Sequence, residues 1–328
     1  MKQKIVEAVN HTIYNYLAGH EVLKQEPSLQ EMMFYALGFD PDGGLLSGGK
    51  RLRPLFCCLT CGMLSGSHER ALLYGAGLEM LHNFTLVHDD IEDNGDVRHN
   101  RPALWKRSGL ALALNAGDML YEIALSAIAR ADADSGLNGL PRVMKMSEEL
   151  FLGQHRDISF EDRTDIREEE YLQMVSGKTS ALLGCSFALG AMAGGADEKT
   201  IAEFDHAGRQ LGIAFQIRDD YLGTWGDSGV FGKSVSGDIT EKKNTMAVVC
   251  TAARDPEFRE KWAAYDGDPS RVREFAELME RAGAPDYLTE QCVKYTEETI
   301  KTLSSFRNEN EYRVLLYSLI NSLVMREK

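Results

Sequence analysis

The stretch Leu73-Tyr-Gly-Ala-Gly-Leu-Glu-Met-Leu-His-Asn-Phe-Thr-Leu-Val-His-Asp-Asp-Ile-Glu-Asp93 decides the fold. Its Leu73, Gly77, Met80, Phe84, Val87 and Ile91 recur in alternating steps of four and three, which is one face of an α-helix over five turns. The same period returns over 108–132, 138–156, 168–195, 198–222, 241–253, 270–282 and 311–325. No stretch alternates apolar and polar residues long enough to read as a strand. Eight prolines occur and none lies between Arg142 and Asp255, so helices can run there without interruption. The reading is all-α: a single-domain antiparallel helical bundle over residues 1–328, broken by loops at 38–49, 94–102 and 223–237.

Composition narrows the function. In 328 residues, 44% are hydrophobic and the formal net charge is −14, which excludes disorder and disfavours nucleic acid or an anionic bilayer as the main partner. Of the six cysteines, Cys58 and Cys61 form a C-x-x-C without a second pair or a nearby His, so buried free thiols are expected rather than zinc. The Met-Lys-Gln-Lys start has no apolar signal region, which makes the cytoplasm the default location. The longest uncharged run, Thr179 to Ala196, is rich in Gly and Ala and reads as a buried helix, not a transmembrane segment.

The chemistry lies in charged clusters beside the loops. Asp89 and Asp93 are four residues apart, so on a helix they share a face about 6 Å apart. A second acidic segment, Arg218-Asp-Asp-Tyr-Leu-Gly223, sits in a similar helical context. Two such faces opposed across a cavity suit Mg²⁺, which bridges a few carboxylates to substrate phosphates. Lys50, Arg51 and Arg53 follow Gly48-Gly49, and Arg98, Lys178, Lys233, Lys242 and Lys243 stand near other breaks. An acidic chain that keeps cations at these places points to a phosphate-bearing small substrate. Taken singly, Arg51 or Lys242 is adequately read as a solvated surface charge.

In order and spacing, 48–54 (Gly-Gly-Lys-Arg-Leu-Arg-Pro), 86–93 (Leu-Val-His-Asp-Asp-Ile-Glu-Asp) with Arg98, Gly153-Gln154 with Asp157, Gly177-Lys178-Thr179, Phe215-Gln216-Ile-Arg-Asp219-Asp220, and Gly232-Lys233 leading to Gly237-Asp238-Ile239 and Lys243 resemble the trans-isoprenyl diphosphate synthases. The match spans about 48–245. The resemblance implies a head-to-tail prenyltransferase: an allylic diphosphate ionises, isopentenyl diphosphate attacks the cation, and a proton leaves with the departed diphosphate. It implies that Asp89, Asp93, Asp219 and Asp220 ligate Mg²⁺, and that Arg98, Lys178 and Lys233, with Lys243 nearby, hold the allylic diphosphate. Lys50, Arg53 and His82 would hold isopentenyl diphosphate, and Gln216 and Thr179 would flank the reacting carbons. A homodimer is the family's usual state.

Three departures stand out. Gly223 replaces a third Asp of the second acidic motif, with Asp227 the nearest substitute in sequence. Arg98-His99-Asn100 stands for Arg-Arg-Gly, and Ala103 for Thr. A histidine of ordinary pKa at 99 would make affinity for isopentenyl diphosphate fall between about pH 6 and 8. Because family members with a twenty-carbon product often carry an aromatic five residues before the first Asp, as Phe84 is here with small Thr85 beside it, the resemblance implies geranylgeranyl diphosphate, then the fifteen-carbon farnesyl diphosphate, although Phe84 equally fits the helix's apolar core stripe. Competing readings are a terpene cyclase of related fold, a non-catalytic synthase subunit, a di-iron protein using Glu79-x-x-His82 and Glu203-x-x-His206, and a phosphohydrolase using His88-Asp89.

Overall fold

The computed structural model describes residues 1–40, 43–46, 49–161, 163–226, 237–306 and 309–324. The expectations on Asp227, on Lys233 and on the loop around them lie outside the described residues. The protein is all-α, as its period requires, and the 73–93 face becomes helix α4. In chain order the elements are α1 (Lys2–Gly19), α2 (Pro27–Leu37), α3 (Leu52–Ser65), α4 (Leu72–Glu92), α5 (Leu104–Ser108), α6 (Leu110–Ser135), α7 (Leu140–Phe160), α8 (Glu168–Val175), α9 (Ala181–Ala193) and α10 (Glu198–Trp225). The C-terminal part continues with Gly237–Thr240, Met246–Arg254, Pro256–Ala263, Val272–Arg281, Ala284–Ser304 and Glu311–Val324. Strand is confined, among the described residues, to the two-residue ribbon Val97–Arg98 with Arg101–Pro102 and the bridge Phe39–Leu45. The ribbon is too short to show as alternation. Its tip residues His99 and Asn100 have φ of 51° and 60°, the left-handed pair of a tight hairpin turn.

Contacts divide the chain into two units. The first comprises Met1–Met144, Cys185–Ala202 and Asn308–Leu316, and the second Lys145–Gly184, Glu203–Arg307 and Tyr317–Lys328.

In the first unit α1, α3 and α6 pack on α4. Glycine makes the approach close: a Cβ on Gly77 would meet Ile128 Cδ1 at 2.7 Å, and one on Gly117 would meet the His88 ring at 2.5 Å. The apolar run beyond Thr179 is buried as expected, and a Cβ on Gly190 would lie 2.3 Å from the Cys57 carbonyl oxygen of α3. All six cysteines are buried free thiols. One helix among the described residues, α6, is long and apolar enough by length and composition to cross a membrane.

In the second unit α10 lies along Ala284–Ser304, where Thr299 donates to Ala207 O (3.2 Å) and Cys292 to Ala214 O (3.4 Å). Between α8 and α9 the chain winds a single π-helical turn, Ser176–Ser180, a local irregularity that proteins often keep at functional sites.

Candidate active site

The first unit builds its half on the C-terminal end of α4. Asp89 is half-buried, and Asp93 caps the helix in the open, its N–H donating to Asp89 O at 2.8 Å. Asp90, between them, turns inward at 5% exposure and accepts Nε (2.9 Å) and Nη2 (2.5 Å) of Arg98 on one oxygen. Arg98 therefore reaches the site already oriented, and Asp90 is the residue that aims it. The 94–108 segment is tied down in turn, with Tyr35 donating to Pro102 O (2.7 Å) and Trp105 to Gly95 O (2.8 Å).

Arg51 is a correction to the sequence reading. Instead of a solvated charge it is 2% exposed, with Nη1 donating to Glu79 Oε1 (2.8 Å), Nε to Asn10 (2.9 Å) and Nη2 to Leu37 O (2.7 Å). Its backbone is left-handed, φ 49°, at the entry to α3. The buried ion pair thus locks the 49–53 segment onto α4, leaving Lys50 exposed and Arg53 half-buried on either side. Glu79 also accepts from Asn83 (3.3 Å), so its role is structural and the di-iron reading loses a ligand. Among the described residues no three His, Cys, Asp or Glu side chains group as a metal site.

His82 lies one turn after Glu79. Burial pushes its imidazole well below the ordinary histidine pKa, and the charges of Arg53, Arg98, Arg51 and His99 push the same way. Those same neighbours show that Arg53, His82, Arg98 and His99 form one cluster. A Cβ on Gly49 would lie 4.0 Å from His99 Nε2, which brings the 49–53 segment to the hairpin tip. Burial, then Arg98, Arg101 and Arg51, also lower the pKa of His99, against a raising effect of Asp90. The pH window expected from an ordinary histidine therefore moves below 6.5, and His99 is neutral at pH 7.

Phe84 is buried at 5%, its ring 4.7 Å from His88 and 5.1 Å from Tyr121 between centroids. Thr85 donates its hydroxyl to His82 O (2.7 Å). His88 is taken up by Phe84, by α6 and by Asp118 (3.4 Å), so His88-Asp89 does not act as a ligand pair.

The second unit centres on the π-turn. A Cβ on Gly153 would lie 2.1 Å from Lys178 N, and one on Gly212 2.5 Å from Ser180 Cα, so glycines on α7 and α10 press the turn from two sides. Lys178 ion-pairs with Asp157 of α7. Thr179 donates to Gln216 Oε1 (2.8 Å), and Gln216 Nε2 donates to Asp220 Oδ1 (2.9 Å). The other Asp220 oxygen accepts Tyr171 Oη (2.5 Å) and Met246 N (2.7 Å). Burial raises Asp220 to about 7 against these donors, with Asp238 adding to the rise. Both oxygens of Asp220 thus accept hydrogen bonds inside the unit, while Asp219 beside it is half-buried. Lys243 pairs with Glu241 (2.7 Å), whereas Lys242 turns away to Ala263 O (3.2 Å).

Comparison with known proteins decides the family. The polyprenyl synthetase family model matches residues 42–282. The chain belongs to the polyprenyl synthetase family. A geranylgeranyl diphosphate synthase of Sulfolobus acidocaldarius is 36% identical over 323 residues, spanning 94% of this chain and 92% of that one. Among solved polyprenyl synthetase structures, the geranylgeranyl pyrophosphate synthetase of Pyrococcus horikoshii is 30% identical with a TM-score of 0.89, covering 99% of this chain and 98% of that one. The geranylgeranyl pyrophosphate synthase of Corynebacterium glutamicum, complexed with isoprenyl diphosphate and magnesium, is 25% identical with a TM-score of 0.83 over 99% of each chain. The resemblance drawn from the motifs is thereby met, as is the all-α fold.

The polyprenyl synthetase acids suit Mg²⁺ by their donor chemistry. In the first unit Asp89 and Asp93 are hard oxygen donors one turn apart, and in the second unit Asp219 is another donor of the same kind. Mg²⁺ takes one or two carboxylates and completes its shell with phosphate oxygens and water.

Proposed function

We propose that this chain, a prenyltransferase, condenses isopentenyl diphosphate with an allylic diphosphate (dimethylallyl, geranyl or farnesyl) head to tail. One observation carries the reading: the end of α4 presents an acidic pair, Asp89 and Asp93, and beside it Arg53 and Arg98 gather around the neutral histidines His82 and His99. Two different devices for two diphosphates are what a condensation needs. A cyclase handles one.

Asp89, Asp93 and Asp219 would hold Mg²⁺, which would supply positive charge to the departing diphosphate. Arg98, aimed by Asp90, and Lys178, held by Asp157, add fixed positive charge to the allylic diphosphate, with Lys233 and Lys243 as further cations. Lys50, Arg53, His82 and His99 take isopentenyl diphosphate, the two histidines as neutral hydrogen-bonding groups. Thr179 and Gln216 lie beside the reacting carbons, where a dipole locked by Asp220 stabilises positive charge without attacking it. Asp220 acts through Gln216 and not on the metal. The C1–O bond of the allylic substrate breaks, a C–C bond forms, and the proton lost from the isopentenyl unit passes to the released diphosphate.

The main product is geranylgeranyl diphosphate, followed by farnesyl diphosphate, with Phe84 and Thr85 setting length. The chain works as one domain, a reading supported by the unit boundaries that fall inside α7, α9, α10 and the helix Glu311–Val324. It works as a cytoplasmic homodimer; the apolar exposure of Leu110, Leu112 and Leu114 on α6 and of Phe151, Leu152 and Ile158 on α7 supports the self-association.

The test is an assay of the purified protein with Mg²⁺, isopentenyl diphosphate and each allylic primer in turn. Elongated product and diphosphate are expected together. Release of diphosphate without isopentenyl diphosphate would mean a cyclase, and no release with any primer a non-catalytic subunit.

A further inference from the structure

Two pieces of chain bring cations to His82 in the first unit, the 49–53 segment at the entry to α3 and the hairpin Val97–Pro102. Across the hairpin Arg98 faces Arg101, and like charges directly opposite one another destabilise such a pair. Each arginine therefore needs a holder. Asp90 takes Arg98. Arg101 is held differently: Nη2 donates to Tyr35 O (2.9 Å), while Nε and Nη1 are buried without a hydrogen-bond partner. The guanidinium lies over the Tyr35 ring, 4.4 Å from its centroid, where the negative face of the ring attracts a desolvated cation. Arg107 lies over the same ring at 4.2 Å, and the Tyr35 hydroxyl donates to Pro102 O (2.7 Å). One residue of α2 thus grips the returning strand of the hairpin by ring, hydroxyl and carbonyl. Two residues on, Leu37 O of the same helix accepts Nη2 of Arg51 (2.7 Å), the arginine that locks the 49–53 segment. Both arms are thereby tied to α2.

We propose that Tyr35 is a positioning residue for isopentenyl diphosphate: it fixes the hairpin tip, and with it His99, relative to Lys50 and Arg53, with α2 as the common strut. Two arms held in place before the substrate arrives spare binding the cost of ordering them. Arg98 depends on Tyr35 less, because Asp90 ties it to α4 independently. Tyr35 therefore discriminates between the two substrates. Losing its grip weakens isopentenyl diphosphate and leaves the allylic diphosphate, taken by Arg98 and Lys178, largely as it was. This rests on the reading of Lys50, Arg53, His82 and His99 as the groups that take isopentenyl diphosphate.

The experiment is steady-state kinetics of the full-length protein, with isopentenyl diphosphate and farnesyl diphosphate varied in turn and melting temperatures measured alongside. Tyr35→Phe, which keeps the ring and loses only the hydroxyl bond to Pro102, should raise the KM for isopentenyl diphosphate about threefold or more. Tyr35→Leu, which loses the ring as well, should raise it about tenfold or more. The KM for farnesyl diphosphate should move much less in both. In a His99→Ala background Tyr35→Phe should add nothing further, because the group it places is gone. Equal changes in the two KM values, a lowered melting temperature without that split, or full additivity with His99→Ala would make Tyr35 a structural residue only and overturn the inference, leaving the substrate assignment intact. An unchanged KM for isopentenyl diphosphate in His99→Ala itself would instead remove the hairpin tip from that substrate's site, and the inference with it.

Discussion

His99 shows how a single side chain changes meaning between sequence and structure. In the sequence it is an ordinary titrating group where the family pattern has arginine. In the fold, burial and three arginines hold it below the usual range. A histidine with a lowered pKa is neutral above about 6.5 and gains its cation only as pH falls below that. The KM for isopentenyl diphosphate should therefore differ between wild type and His99→Arg by a constant factor from pH 7 to 8. The difference should narrow only on acidification, as wild-type His99 becomes charged. At pH 7.5 the arginine should lower KM about tenfold or more, the worth of one charge-assisted hydrogen bond. Steady-state kinetics across this range decides it, and equal KM values would remove His99 from the site. Adjacent Asp219 and Asp220 should separate just as clearly. Asp219→Asn should reduce kcat about a hundredfold or more, by analogy with loss of one transition-state contact, and leave the melting temperature unchanged. Asp220→Ala strands Tyr171, Met246 N and Gln216, so it should lower stability by about 1–3 kcal/mol as well, measurable by urea denaturation.

At the scale of elements, the site depends on how closely helices approach. The buried pair Arg51–Glu79 clamps the start of α3 to α4. Removing one partner leaves a buried charge, so Arg51→Met should cost about 3–5 kcal/mol, and Arg51→Met with Glu79→Leu should recover most of it. A double-mutant cycle in urea measures this, and additive losses would contradict the clamp. The π-turn is held by contact between Gly153 and Gly177, where a Cβ on Gly177 would meet Glu149 O at 2.4 Å. Gly177→Ala should therefore move Lys178 and raise the KM for the allylic substrate more than that for isopentenyl diphosphate. Phe84 belongs to this scale too, because its ring rests on His88 of its own helix and Tyr121 of α6. Phe84→Ala should lengthen the product by at least one isoprene unit on chromatography. Unchanged length would assign the floor to another layer.

Across the whole molecule, the exposed leucines of α6 are the feature a single chain does not explain. Leu112→Arg with Leu114→Arg should halve the mass found by sedimentation equilibrium if these residues form the homodimer contact. The helical character was fully legible in sequence, because a period of three and four over five turns has no other regular solution. The six motif segments were legible too, because their order and spacing along the chain carry the resemblance to the family that the match over 42–282 bears out. What tertiary structure alone decided is the division of labour among like residues. Asp90 and Asp220 face inward and orient Arg98 and Gln216, while Asp89 and Asp219 stay more open. Arg51 is a buried strut beside the exposed Lys50. Charge and spacing are properties of the chain, but burial and hydrogen-bond partners come from elements distant in sequence, and those set which carboxylate is locked onto a neighbour and which stays open.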